Sequence, residues 1–289
     1  GLQRRLAEYA AALSYDALPP SAAHAAKVRV IDTLAALAGG FDGAPCAIAR
    51  RMAERTPLRD GASVYGTPLR TTPEMAAFAN GTPARYVELN DVYHWPGSAG
   101  GHPSDVIMPL LGVAEHANAG GREVIAAVVL AYEIYLRLSD AIGRTPFDCA
   151  NFACIGIAAG SAKLLELGPD GIGHSLSMAA VPNNVLRQVR TGHLSMWKAV
   201  TAGHAGKAGV FAALLAREGM NAPFLPFEGK SGWCAHIARK PLSLNVMGGA
   251  GAAFKIEDTL IKPRSSCATT ISSILAAEKV APAVMQRLD

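Results

Sequence analysis

The sequence predicts a mainly α-helical protein, and three features predict it. Half of the 289 residues are apolar, yet aromatics make up only 6%. The hydrophobic content is therefore Ala, Leu, Val and Ile, and Ala and Leu are strong helix formers. Apolar positions recur at helical spacing through most of the chain. Strand signals are few: SVYG around Val64 and AFKIE near Phe254. The length suits one large domain or two ordinary ones with a sizeable core.

Each element expected here has its own signal. Ser21 can cap a helix over SAAHAAKVRVIDTLAALAGG that stops at Gly39 and Gly40. Thr72, Pro73 and Glu74 open a short helix with proline at its first position. Asn80-Gly81 reads as the turn that ends it, a reading preferred over the glycosylation sequon that Asn80-Gly81-Thr82 also spells. Residues 104 to 118 form the next helix, with Ser104 as its cap. Residues 121 to 142 form a long one, with Val124, Val128, Tyr132 and Tyr135 on one face. Asn151 to Leu167, Gly171 to Ala180 and Lys198 to Glu218 continue the pattern, the last stopped by Gly219. Gly203, Gly206 and Gly209 fall every third residue in that last helix. Each costs up to about 1 kcal/mol relative to Ala, a cost that a neighbouring helix packed very close would offset. Residues 1–259 read as one all-helical domain. Residues 260–289 begin a second unit that the sequence leaves after a partial helix. The chain opens on Gly1 rather than Met, which reads as a trimmed or tagged terminus.

Composition narrows the function. The net charge is +4, with no run of basic residues, so a nucleic-acid-binding stripe is not expected. Mild basicity suits an anionic metabolite. No stretch approaches the roughly 18 uncharged apolar residues of a membrane span, and the most apolar helix carries Glu133 and Arg137. Two arginines near the start precede no apolar signal region. Five cysteines, an odd number with no CxxC pair, point to free thiols in a reducing compartment such as the cytoplasm. They also argue against an iron–sulfur cluster or structural zinc. Gly229-Lys230-Ser231 lacks the glycine a phosphate loop needs, since position 224 is Phe224. Gly249-Ala-Gly251 lacks the third glycine of a dinucleotide fingerprint, since position 254 is Phe254. No metal or cofactor is expected.

Chemistry concentrates in residues 88 to 109, ELNDVYHWPGSAGGHPSDVIMP. His102 stands two residues before Ser104 at a helix start, where free N–H groups and partial positive charge attract anions. A histidine there can hold a carboxylate or pass a proton. Gly97, Gly100 and Gly101 let the backbone approach a ligand. Glu88 and Asp91 lie three apart and share a face if that stretch is helical. The plainer alternative is a capped helix after a solvated loop. Lys198, beside Trp197 at a helix start, is a second candidate. Lys207 lies about 180° around the same helix, so it and His204 are read as structural or surface residues. Lys262, Arg264 and Cys267 sit at the junction of the two units, where clefts often hold ligands; a solvated turn is the alternative. Cys149, after Phe147-Asp148 and before a helix, reads as a small buried residue.

Taken together, these segments resemble the MmgE/PrpD family of 2-methylcitrate dehydratases, cis-aconitate decarboxylases and an iminodisuccinate epimerase. The most specific match is His102-Pro103-Ser104-Asp105 with the trailing VIMPLLGVAE, preceded by Asn90-Asp91. Gly120-Gly121 with VLAYEIYLRL, the helix end AAGSAKLLELG, Leu194 to Lys198 and Phe227-Glu228-Gly229 support it. The resemblance implies a helical domain plus a smaller α+β lid, incomplete in this chain, with a metal-free site between them. It also implies homodimerisation through the helical domain. By similarity Asp91, His102, Lys198 and Lys262 line the cleft as catalytic residues. Glu88, Ser104, Cys149, Arg264 and Cys267 become substrate-binding candidates. Glu88 and Val92 stand where Asp and Thr are usual, and Cys149 and Cys267 where histidines are usual.

The implied activity is a hydro-lyase acting on a small polycarboxylate. Its cations, Lys198, Lys262 and Arg264, would clamp carboxylates. His102 would be the acid or base, with Asp91 orienting it or sharing its role. A decarboxylase or epimerase is the alternative within enzymes. A weakened binding homologue, favoured by the two cysteines, is the alternative outside them.

Overall fold

The protein was analysed as a computed structural model that describes residues 1–244 and 246–286. It is mainly α-helical, as expected. Helices α1 (Leu2–Ala12), α2 (Pro20–Gly40) and α3 (Ala44–Ala53) lead into a two-stranded antiparallel sheet of β1 (Pro57–Ser63) and β2 (Arg70–Thr71). Its register pairs Ala62 with Thr71 and Ser63 with Arg70. Then come α4 (Pro73–Tyr86), α5 (Ile107–Ala117), α6 (Gly121–Ile142), α7 (Ala150–Leu164) and α8 (Pro169–Ala180). Helix α9 (Trp197–Arg217), the single turn α10 (Trp233–His236) and α11 (Ala268–Met285) complete the order. Among the described residues four short 3-10 turns link them, including Pro103–Val106 ahead of α5 and Lys255–Asp258.

Helix α9 runs through the middle of the protein, packed by α4, α7 and α8. Its glycines decide how closely. A methyl at Gly203 would lie 2.6 Å from the Phe78 carbonyl oxygen on α4, and one at Gly209 would lie 2.7 Å from the Cys154 carbonyl oxygen on α7. The expected close neighbour is therefore two helices, one on each side. By length and mean hydropathy α9 is apolar enough to cross a membrane, but 61% of that stretch is buried inside the protein. Around this axis α6 packs on α7, α2 on α4 and α1 on α8. The core is built of small aliphatics with a few large rings, including Tyr132, Tyr135, Phe152 and Trp233. Each fully buried Leu, Ile or Phe side chain contributes about 1.5–3 kcal/mol.

Several local expectations are corrected. Asn80-Gly81 does not end α4, which continues to Tyr86. The Asn80 side chain donates to the Ser63 carbonyl and accepts from the Tyr65 N–H, fixing the sheet to the helix. Gly81 faces Gly203, whose Cα would be 3.1 Å from an added methyl. The dipeptide that reads as a turn is a packing seam. Ser21 does not cap α2, which begins at Pro20 after Pro19. Residues near Phe254 form a 3-10 turn rather than a strand. The strand expected around Val64 ends at Ser63 and extends upstream instead. Helices α1 and α3 had no distinct signal among the alanines.

The last segment is placed by a short backbone pairing. Val92 N–H donates to the Leu260 carbonyl at 2.9 Å, and Leu260 N–H returns a bond to Val92 at 2.8 Å. Arg29 of α2 donates to both the carbonyl and the hydroxyl of Thr259. These bonds fix Thr259 to α2 and lay Leu260 beside Val92, in the loop that carries His102.

Candidate active site

The site begins where α4 ends. Arg85, in the last turn of α4, is only 3% exposed. Its Nη1 donates to Asn90 Oδ1 at 3.3 Å, and its Nε lies 3.8 Å from Asp105 Oδ1. Past the helix end the backbone at Glu88 enters the left-handed region, with φ 55°. For a residue with a long side chain that conformation is unfavourable and persists only where the surroundings hold it. Glu88 and Asp91 therefore share no helical face.

Three cations meet the Glu88 carboxylate. Lys198 Nζ lies 2.7 Å from Oε1, and Arg85 Nη1 lies 3.1 Å from Oε2. Lys262 Nζ lies 3.6 Å from the same Oε2 and donates to the Ser266 carbonyl at 3.1 Å. Burial alone would raise the Glu88 carboxyl, but Arg85 and Lys198 hold it far below the usual carboxylate range. Burial lowers the Lys262 ammonium, which Glu88 partly restores. Beside this cluster lies a cavity of about 240 Å³, lined by Arg85, Tyr86, Glu88, Ser195, Met196 and Lys198.

His102 sits against the same charges. Its Nδ1 lies 2.8 Å from the Asp91 carbonyl oxygen. A carbonyl only accepts, so Nδ1 carries the proton and the lone pair is on Nε2. Burial, then the positive charges of Arg85 and Lys262, push the imidazole well below its ordinary 6.5, while the Asp91 carbonyl and Glu88 oppose them. The ring is thus neutral at pH 7, with Nε2 as a base. Its backbone N–H donates to the Tyr135 hydroxyl at 3.1 Å. That hydroxyl fits because position 101 is glycine: at φ 133° a methyl there would lie 2.2 Å from it.

Asp91 orients His102 through its main chain, not its carboxylate. The carboxylate is fully buried, accepting from the Ser104 N–H at 2.9 Å and from the Tyr132 hydroxyl at 3.0 Å. Burial raises its pKa. The Ser104 N–H that a helix start would offer to a ligand is thereby occupied. Ser104 is also not a side-chain cap: it lies inside the 3-10 turn Pro103–Val106 and accepts from Asn90 at 3.3 Å.

The remaining candidates are spread around this centre. Cys149 is partly buried beside Tyr135 and Gly101, one layer behind His102, and burial pushes its thiol up to about 11. Cys267 is exposed at the start of α11, where bonds from Thr269 lower its thiol; it also feels the charges of Glu88 and Lys262. Arg264 is turned away. It makes a two-pronged ion pair with Glu278 of α11, at 2.7 and 2.8 Å, on the surface. The structure thus gathers Glu88, His102, Lys198 and Lys262 with Arg85. Asp91, Ser104 and Cys149 form the layer behind, Cys267 lies at the rim, and Arg264 lies outside.

The MmgE/PrpD N-terminal domain model matches residues 4–244. The chain belongs to the MmgE/PrpD family. It is 31% identical to a 2-methylcitrate dehydratase of Salmonella typhimurium over 180 residues, covering 57% of this chain and 36% of the relative. A mitochondrial 2-methylcitrate dehydratase of Yarrowia lipolytica is 29% identical over 209 residues, 67% of this chain and 40% of the relative. A cis-aconitate decarboxylase-like protein of Aspergillus oryzae is 30% identical over 171 residues, 54% of this chain and 34% of the relative. The matched stretches thus span well under half of these relatives. Within this MmgE/PrpD chain, Arg85, Glu88, His102 and Lys198 lie inside the family match, and Lys262 and Cys267 beyond it.

Sequence reasoning missed Arg85, Asp105, Tyr132 and Tyr135 as parts of the site. Ending α4 at Gly81 left Arg85 in a linker. The available signal was its place three residues before Glu88, the spacing of an ion pair across a helix turn. Asp105 belongs to the motif around His102, but its spacing alone carries no sign of its role. It is buried, and burial pushes it up to about 7 although Arg85 and Arg190 oppose the rise. Its Oδ2 and Arg85 Nε have no hydrogen-bond partner among the described residues.

Proposed function

We propose that this MmgE/PrpD protein is a lyase that removes water from a small hydroxy-polycarboxylate. One observation carries the proposal: an imidazole fixed with its lone pair on Nε2 feels the charges of Arg85 and Lys262, which share the Glu88 carboxylate with Lys198. A proton beside a carboxylate is weakly acidic, and its removal places negative charge on that carboxylate. Lys198 and Arg85 are placed to stabilise that charge, which is worth most in a site shielded from water. His102 Nε2 takes the proton as general base. The C–H electron pair becomes the new carbon–carbon double bond as the C–O bond breaks. Lys262, whose burial makes its ammonium a stronger acid, gives the departing hydroxide its proton to form water. No metal is assigned, since among the described residues no three His, Cys, Asp or Glu side chains converge as ligands would. The dehydratase relatives support this reading.

The likeness to a cis-aconitate decarboxylase-like protein supports a second reading. Decarboxylation would use the same cationic clamp, with carbon protonated after carbon dioxide leaves. Incubating the protein with a panel of hydroxy-tricarboxylates and following ultraviolet absorbance separates the two. A new conjugated double bond supports dehydration. Carbon dioxide released from the matching unsaturated acids, with no absorbance change from the hydroxy acids, supports decarboxylation.

A further inference from the structure

Glu88 occupies the place that the proposed chemistry gives to a ligand carboxylate. Both of its oxygens are engaged, Oε1 by Lys198 and Oε2 by Arg85 and Lys262. A second carboxylate brought to the same cations would meet a like charge at contact distance, an arrangement that costs about tenfold or more in affinity. The cavity opens directly on this point, with Glu88, Lys198 and Arg85 all in its wall. The Glu88 side chain keeps 21% exposure, so it is not locked behind the cations. Its backbone is in the left-handed region at φ 55°, two residues past the end of α4.

We infer that Glu88 is an internal counter-anion: it holds Arg85, Lys198 and Lys262 together, and an incoming carboxylate displaces it. The inference rests on the reading of the site as a polycarboxylate cleft and adds to it. Glu88 then sets selectivity. A ligand with one carboxylate cannot match an anion already held by three cations. A ligand with two or three, each able to take one cation, can. Expulsion of Glu88 is coupled to binding, and the loop from Val87 to Asn90 moves with it.

The test uses the whole chain and compares Glu88→Gln and Glu88→Asp with the parent protein. Calorimetry measures binding of tricarballylate, a tricarboxylate with no hydroxyl to lose, and of acetate and sulfate. Loss of the competing charge in Glu88→Gln should tighten tricarballylate binding by about tenfold or more. Glu88→Asp keeps the charge and should stay within about threefold of the parent. Equal or weaker tricarballylate binding by Glu88→Gln overturns the inference. If no form binds tricarballylate but Glu88→Gln gains sulfate binding, the inference stands and the polycarboxylate reading fails. If neither anion distinguishes the forms, the inference fails. Should Glu88→Gln not fold, the parent protein crystallised with tricarballylate decides. Glu88 withdrawn from Lys198 in the complex supports displacement, and a bound ligand with the 2.7 Å contact intact overturns it.

Discussion

Lys198 Nζ lies 2.7 Å from Glu88 Oε1, joining the start of α9 to the loop that follows α4. The contact makes Lys198 a charge already aimed into the cavity rather than a surface lysine. Lys198→Ala removes a charge-assisted bond worth about 1.5–3 kcal/mol. The expected result is a fall in kcat/KM of about 10- to 100-fold, with most of the loss restored by Lys198→Arg. Steady-state kinetics on whichever hydroxy-tricarboxylate is turned over checks this. Full activity in Lys198→Ala would remove it from the clamp.

Asp105 gives a stability prediction with a defined sign. Its folded pKa, about 7, lies above its ordinary 3.8. Between those values the folded state holds more protons than the unfolded one, so stability falls as pH rises from about 4 to 7. The groups whose charges bear on it are Arg85, Arg190, Asp91 and Asp148. Asp105→Asn does not titrate and should remove up to about 4 kcal/mol of that pH-dependent loss. Urea unfolding of both forms across that range measures it. Parallel stability curves for the two forms would contradict the assignment.

The α4–α9 seam predicts an unusual glycine effect. Ala is the better helix former by about 1 kcal/mol, so on propensity alone Gly203→Ala stabilises. The added methyl would instead lie 2.6 Å from both the Phe78 carbonyl oxygen and the Thr82 hydroxyl. Forcing the helices apart costs about 1–3 kcal/mol, and the expected net result is destabilisation. Lys207→Ala, on the exposed side of the same helix, should fall within about 0.5 kcal/mol of the parent. Chemical denaturation of the pair checks both; a stabilised Gly203→Ala would mean that the seam is looser than described.

Arg264 makes a negative prediction. Its guanidinium is taken by Glu278 on the surface of α11. Exposed ion pairs of this kind contribute little. Arg264→Ala should therefore change kcat/KM by less than about twofold. A large fall in activity would show that α11 rearranges to bring Arg264 into the cleft.

Most of the helical architecture was legible in the sequence. Period and stop signals placed α6 at residues 121–142 and located α9 with its close-packed glycines. The pair Asn80-Gly81 misled because local turn chemistry and a helix–helix seam use the same residues. Only tertiary packing tells them apart: Gly81 is small because Gly203 is opposite it. That one misreading hid Arg85. The motif around His102 marked the site, but not how it is wired. That the Asp91 carbonyl, rather than its carboxylate, fixes the imidazole depends on a loop whose path is set by the Val92–Leu260 pairing. Two segments about 170 residues apart meet there, a pairing that no local signal announces.

The rate of double-bond formation by His102→Ala, measured beside the thermal unfolding of the same variant, tests the central claim most directly. A general base at this position implies a loss of about 10²- to 10⁴-fold in a protein that still unfolds cooperatively near the parent temperature. Turnover at the parent rate from that variant would contradict it.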